Sequence, residues 1–200
     1  TVARFDNKIF DVLSKQIGHR VCMLESQLGF EVDPKASTQA ALHGYFSHDN
    51  FNPPAEWLGA FDMVISTRML EHAEKPREFV ELLRRFLVSD GQLVLEVPDC
   101  TKPLLQGDVA MLWEEHTNYY TPESLRRGLD SLGFDVVRSV VYFFQQEDAL
   151  AGFFQKKQRD KTGNISELLK GNPSDESEVG LAFKEKIERW KVETRFVLNK

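Results

Sequence analysis

Cysteine is scarce in this chain of 200 residues: Cys22 and Cys100 are the only two, and they form no Cys-x-x-Cys pair. That excludes a zinc ribbon and a disulfide framework. No apolar run reaches the ~18 residues that cross a bilayer, so no membrane span is expected. Thr1 to Asp6 hold no signal-peptide core, and a reducing cytoplasm is the default location. Excess positive charge is missing. Lys and Arg number 25 against 31 Asp and Glu, a net charge of −6, which argues against nucleic acid or anionic lipid as the main partner. Closely spaced glycines are missing too, since no two of the 12 lie nearer than five positions apart. A nucleotide site on a doubly wound sheet opens with glycines one residue apart, because only glycine lets backbone approach the ligand there.

A hydrophobic content of 42% supports a real core, and the length suits one domain plus an appendage. The stretch Phe61-Asp62-Met63-Val64-Ile65-Ser66 reads as a strand whose next residues spill into a cleft. Gly91-Gln92-Leu93-Val94-Leu95-Glu96-Val97-Pro98 repeats the pattern, with a strand expected over 92–97. Between them, 76–88 reads as a helix. Pro76 suits its first turn, Phe79, Val80, Leu82, Leu83, Phe86 and Leu87 supply an apolar face, and Arg77, Glu78, Glu81, Arg84 and Arg85 face out. Two strands joined by one helix make a βαβ unit, and ligands of parallel sheets sit at the strands' carboxyl ends. That places Ser66 to His72, with Ser66, Thr67 and Leu70 as its candidate ligand-binding residues, and Pro98 onward beside a binding crevice.

Helical spacing also marks 8–17 and 35–42, while 20–24, 28–32 and 45–47 suit short strands. A capped helix begins at Thr121-Pro122-Glu123-Ser124 and ends at Gly133, with Leu125, Leu129 and Leu132 inward; 135–144 follows as a strand. Beyond Phe154 the composition turns charged, then rich in Gly, Pro and Ser, and 180–199 is helical again with Trp190 as an interaction or packing element. Two units are expected: 1–154, an α/β domain, and 155–200, a linker with a helical segment. If the strand at 61–66 is the fourth of its sheet, the first begins roughly 60 residues earlier by ordinary element lengths. That places the glycine-rich turn at or before Thr1.

Chemistry-bearing residues gather in a few places. Glu31, ahead of Asp33 and Glu25, suits a strand end where an acid accepts hydrogen bonds from both hydroxyls of a ribose; plain turn chemistry before Pro34 is the alternative. Asp49 and Asn50 stand where a loop can bind an adenine amino group, or form an Asx turn. His72, after the strand, can act as a base or orient a substrate, or serve structure alone. The densest stretch is Trp113-Glu114-Glu115-His116-Thr117-Asn118-Tyr119-Tyr120. An acid beside a histidine fixes its tautomer and suits it to general-base work near neutrality. Trp113, Tyr119 and Tyr120 offer flat walls for a sugar ring or methyl donor, unless they only cap the core. A metal site drawn from His72, Glu114, Glu115 and His116 has no helical ligand spacing behind it, and no metal is expected.

The pattern FDMVISTRMLEH…FVELLRRFLVSDGQLVLEVPD resembles the fourth and fifth strands, and the helix between, of class I S-adenosylmethionine-dependent methyltransferases. DVAMLWEEHTNYYTPESLRRGLDSLGFDVV resembles more narrowly the sugar C-methyltransferases of deoxysugar and surface-polysaccharide synthesis. In that subgroup the loop reads Tyr-His-Glu-His and its last His is the base. By resemblance, His116 is the base here, Glu115 its acid, and His72 assists; Trp113 and Glu114 stand where the subgroup has Tyr and His. The resemblance spans about 29–145. It implies a Rossmann-like α/β fold, a mostly parallel sheet with helices on both faces, and S-adenosylmethionine as cofactor. It also implies a small-molecule acceptor such as a nucleotide-linked sugar, methylated on carbon, oxygen or nitrogen. The subgroup's cysteine-rich zinc module and glycine-rich first motif do not occur in this chain. A non-catalytic remnant or interaction module is the competing reading. A nicotinamide oxidoreductase would need the same glycine turn.

Overall fold

Residues 91–97 alternate between buried and more open positions, the pattern of a strand with one face on the core. They lie at the centre of one sheet. The computed structural model describes residues 2–3, 12, 15, 53, 55–112, 116–144, 147–157 and 178–198. Within these, β1 (Val2–Ala3), β2 (Phe61–Thr67), β3 (Leu87–Pro98), β4 (Phe134–Tyr142) and β5 (Ala149–Lys156) form a sheet in the order β1-β2-β3-β5-β4. Four helices accompany it: α1 (Pro76–Phe86), α2 (Thr101–Gln106), α3 (Pro122–Ser131) and α4 (Glu178–Leu198). No helix among the described residues is long and apolar enough to cross a membrane.

The βαβ unit forms as expected. β2 and β3 run parallel, with Ile65 opposite Val94 and Thr67 opposite Glu96, and α1 crosses between them. β1 pairs in parallel with the end of β2, Val2 opposite Ser66. The other half of the sheet is antiparallel. β5 returns between β3 and β4 and pairs antiparallel with both, so the sheet is mixed. β5 has no counterpart in the sequence reading, and it carries past the expected unit boundary after residue 154, since Gln155 pairs with Gln92 and Lys156 with Phe134. The elements expected over 20–24, 28–32, 35–42 and 45–47 lie outside the described residues, as does 8–17 apart from positions 12 and 15.

α1 ends two residues sooner than its apolar pattern suggests. Leu87 already takes extended geometry and a place on the ladder opposite Phe61, where it is fully buried. The ladder then skips to Met63 opposite Gln92, so residues 88–91 form a bulge rather than a simple turn. One outward-facing expectation is corrected: Arg84 is buried, with its guanidinium against the bare Cα of Gly133. Gly133 has a φ of 79°, which favours glycine, and the Arg84 guanidinium lies at ordinary contact distance from where a Cβ would stand.

The core joins Phe79, Leu82, Leu83 and Phe86 of α1 to Leu93, Leu95 and Val97 of β3, Leu125 and Leu129 of α3, and Phe134, Leu150 and Phe154. Each such side chain contributes about 1.5–3 kcal/mol on leaving water. The start of α3 is fixed by a capping box: Thr121 Oγ1 accepts from the Ser124 amide, and Ser124 Oγ accepts from the Thr121 amide. Such a cap contributes about 1 kcal/mol. α4 packs on α2, where Lys186 donates to the Leu105 carbonyl.

Candidate active site

β2 delivers its last residues to the carboxyl edge of the parallel half of the sheet. Ser66 and Thr67 are both buried there, and the Ser66 hydroxyl has no hydrogen-bond partner. The chain then turns sharply. Arg68 takes a φ of 53°, in the left-handed region where a residue with a Cβ is strained. Three bonds hold it there. Its amide donates to the Glu96 carbonyl (2.9 Å), and its guanidinium reaches Glu96 Oε1 (3.3 Å) and Glu147 Oε2 (2.6 Å). This anchors the turn to β3 and to the approach to β5. A 3₁₀ turn, Leu70–His72, follows. Leu70 goes into the core; Glu71 is 99% buried, and its Oε2 has no hydrogen-bond partner. Burial pushes the Glu71 carboxyl up to about 7, with Arg68 pulling the other way.

A second segment closes over this turn. The amides of Thr117 and Asn118 both donate to the Glu71 carbonyl (2.9 and 3.0 Å). The Thr117 hydroxyl donates to the carbonyls of Glu71 and Ala73, and the Asn118 amide group donates to Ala73 (2.6 Å). These bonds fix the residue just before them. The His116 ring stands 4.8 Å from the His72 ring, edge to face, and His72 Nε2 lies 3.9 Å from Glu71 Oε1. Tyr119 is the other wall, its ring 6.4 Å from that of His116. Tyr120 bridges to Asp99 at the end of β3, its carbonyl accepting from the Cys100 amide (2.8 Å). Its phenol is largely buried, and burial raises its pKa well above the usual value.

Of the residues singled out from sequence, the structure brings His72, His116 and Tyr119 together at the tips of β2 and β3, with Ser66 and Thr67 beneath. The Leu70 side chain is core, and its carbonyl accepts from the Asn118 side chain (3.5 Å). Tyr120 packs against that core. Glu31, Asp49, Asn50, Trp113, Glu114 and Glu115 lie outside the described residues. Sequence reasoning missed Glu71, the buried acid at this site, although it adjoins His72. It also missed Thr117 and Asn118, which position His116, and the strained Arg68.

The methyltransferase-domain family matches residues 3–139 of this chain. The chain belongs to that family. No curated protein matches it. Among solved structures, the methyltransferase domain is similar to 1,6-didemethyltoxoflavin-N1-methyltransferase of Burkholderia thailandensis, solved with S-adenosylhomocysteine. The identity is 14% and the TM-score 0.39, over 50% of this chain and 45% of that one. It is similar to magnesium protoporphyrin IX methyltransferase of Synechocystis PCC 6803 at 16% identity and TM-score 0.39, over 50% and 46% of the two chains. A possible histamine N-methyltransferase from Thermotoga maritima aligns at 14% identity and TM-score 0.41, over 53% and 60%. The chain thus spans about half the length of these structures.

Cys100 follows the β3 tip of this methyltransferase domain but is no nucleophile. It is buried, and burial pushes its thiol up to about 11. At pH 8 its thiolate fraction is then roughly 200-fold below that of a free cysteine with pKa near 8.5. Alkylation by iodoacetamide, read by peptide mass mapping, is expected to be at least that much slower at Cys100 in the folded chain than after unfolding.

Proposed function

We propose that this chain transfers a methyl group from S-adenosylmethionine to a small acceptor of the nucleotide-linked sugar class, with His116 as the base. The family match supports methyl transfer. The observation that carries the assignment of the base is the His72–His116 pair held over the β2 tip. Ser66, Thr67 and the backbone of Leu70 would hold the cofactor there. Glu31 would take the ribose hydroxyls, and Asp49 and Asn50 the adenine edge.

S-adenosylmethionine supplies an electrophilic methyl on a sulfonium. The rest falls to this chain. His116 accepts the acceptor's proton at a ring nitrogen as the new bond to the methyl forms and the sulfonium bond breaks, leaving the thioether S-adenosylhomocysteine. Glu115 and His72 orient the base, and Thr117 and Asn118 fix its position through the Glu71 and Ala73 carbonyls. Trp113 and Tyr119 would form walls for the acceptor ring, with Tyr120 packed on the core behind them. Alignment of this kind is worth several powers of ten in rate.

Isothermal calorimetry with S-adenosylmethionine checks the cofactor. Binding in the micromolar range is expected; no heat at millimolar ligand would favour a non-catalytic remnant instead. Incubation with a nucleotide-linked keto-sugar, followed by mass spectrometry, is expected to show a gain of one methylene unit.

A further inference from the structure

The same turn holds a set of donors that methyl transfer does not account for. One carboxylate oxygen of Glu71 and one ring nitrogen each of His72 and His116 lie within 4.8 Å of one another. Around a tetrahedral cation with bonds of ~2.1 Å, such atoms stand about 3.4 Å apart. The widest pair therefore closes by little more than an ångström, within reach of small side-chain rotations.

The second observation is independent of that convergence. Glu71 is 99% buried and its Oε2 has no hydrogen-bond partner. A buried polar atom left unsatisfied costs free energy, and a missing ion or water is a standard explanation. The surroundings add a net negative charge: Arg68 is near Glu71, but so are Glu96 and Glu147. The scaffold is also fixed. His116 is joined to the Glu71–Ala73 backbone through Thr117 and Asn118, so the two halves of the set are not free to drift apart.

We propose that Glu71, His72 and His116 form a binding site for one divalent transition-metal cation. Two imidazole nitrogens with one carboxylate oxygen favour zinc, cobalt, nickel or iron over magnesium or calcium, which prefer all-oxygen sets. Three protein ligands leave a coordination position open to water or a ligand oxygen. The site stands whether or not the chain transfers methyl groups. If it does, cation and proton compete for the same His116 lone pair, and the loaded protein is the form without a free base.

The test uses tag-free, chelator-stripped full chain titrated with cobalt(II) chloride, following visible absorbance. One equivalent is expected to bind with micromolar or tighter affinity and with the intense bands of a low-coordinate site. His72→Gln, His116→Gln and Glu71→Gln are each expected to weaken binding by at least about tenfold, on the scale by which metal sites respond to lost ligand support. Asp130→Asn, exposed and paired with Lys157 at the far end of β5, is expected to bind as the parent does. Circular dichroism on each variant separates lost ligands from lost fold, and the three ligand variants are compared only where it matches the parent. Cobalt binding that survives in the His72→Gln/His116→Gln double variant would overturn the site, as would binding to the parent only at millimolar metal.

Discussion

Replacing His116 by alanine is expected to cut methyl transfer by about 10²- to 10⁴-fold, the contribution of a positioned general base. The fold is expected to survive, because His116 is only partly buried and the bonds that tie its segment down belong to Thr117 and Asn118. The loss should fall on kcat, with the dissociation constant for S-adenosylmethionine unchanged by calorimetry, since the proposed role of the imidazole is to take the acceptor's proton. His116→Asn separates hydrogen bonding from proton transfer. It is expected to be as impaired as the alanine variant if the ring nitrogen takes a proton, and partly active if it only orients the acceptor. Wild-type turnover by either variant would remove His116 from the mechanism.

Phe154→Ala is expected to destabilise the domain by about 3–5 kcal/mol, the range for deleting a buried aromatic ring. Phe154 is 98% buried, lies on β5 opposite Leu93, and belongs to the same core as Leu95, Leu125 and Phe134. Its ring also explains a glycine. A Cβ at Gly152, two residues earlier on the same face, would lie 2.5 Å from the Phe154 ring. Gly152→Ala is therefore expected to cost about 1–3 kcal/mol through overpacking. In a Phe154→Leu background that added cost should shrink, because the smaller side chain vacates the space. A double-mutant cycle by urea denaturation reads the coupling directly. Strictly additive effects would mean that the two positions do not compete for one volume.

The elements that were legible from sequence are those whose signal is local. α1 declares itself through Pro76 and six apolar residues at helical spacing, and α3 through Thr121, Pro122 and Ser124 at its cap. β2 and β3 are short apolar runs flanking a helix, and their parallel pairing follows from the length of the connection. β5 was not legible. Its first half, Ala149-Leu150-Ala151-Gly152, is buried at every position, so it shows no alternation, and it contains residues that disfavour isolated strands. Arg84 has the spacing of a solvent-facing residue and is buried beside Gly133, a neighbour 49 positions on that its own stretch of sequence does not announce.

The site divides the same way. His72 and His116 stood out by residue type and by their place after predicted strands. Glu71 did not, because Leu70-Glu71-His72 looks like an ordinary polar turn; the segment that ties down its carbonyl lies some 46 positions downstream. Residues that matter by supporting others, such as Thr117, Asn118 and Arg68, become visible only through the carbonyls and carboxylates they meet.

The late return of β5 to the middle of the sheet sets an order of events during synthesis. Until residues 149–156 have left the ribosome, β3 has no neighbour on its far side, and a row of amides and carbonyls stands open beside Leu93, Leu95 and Val97. A nascent chain in that state offers a template for another copy's strand. The nascent chain therefore passes through a window of sticking to its neighbours, which closes only when its penultimate described element slots home.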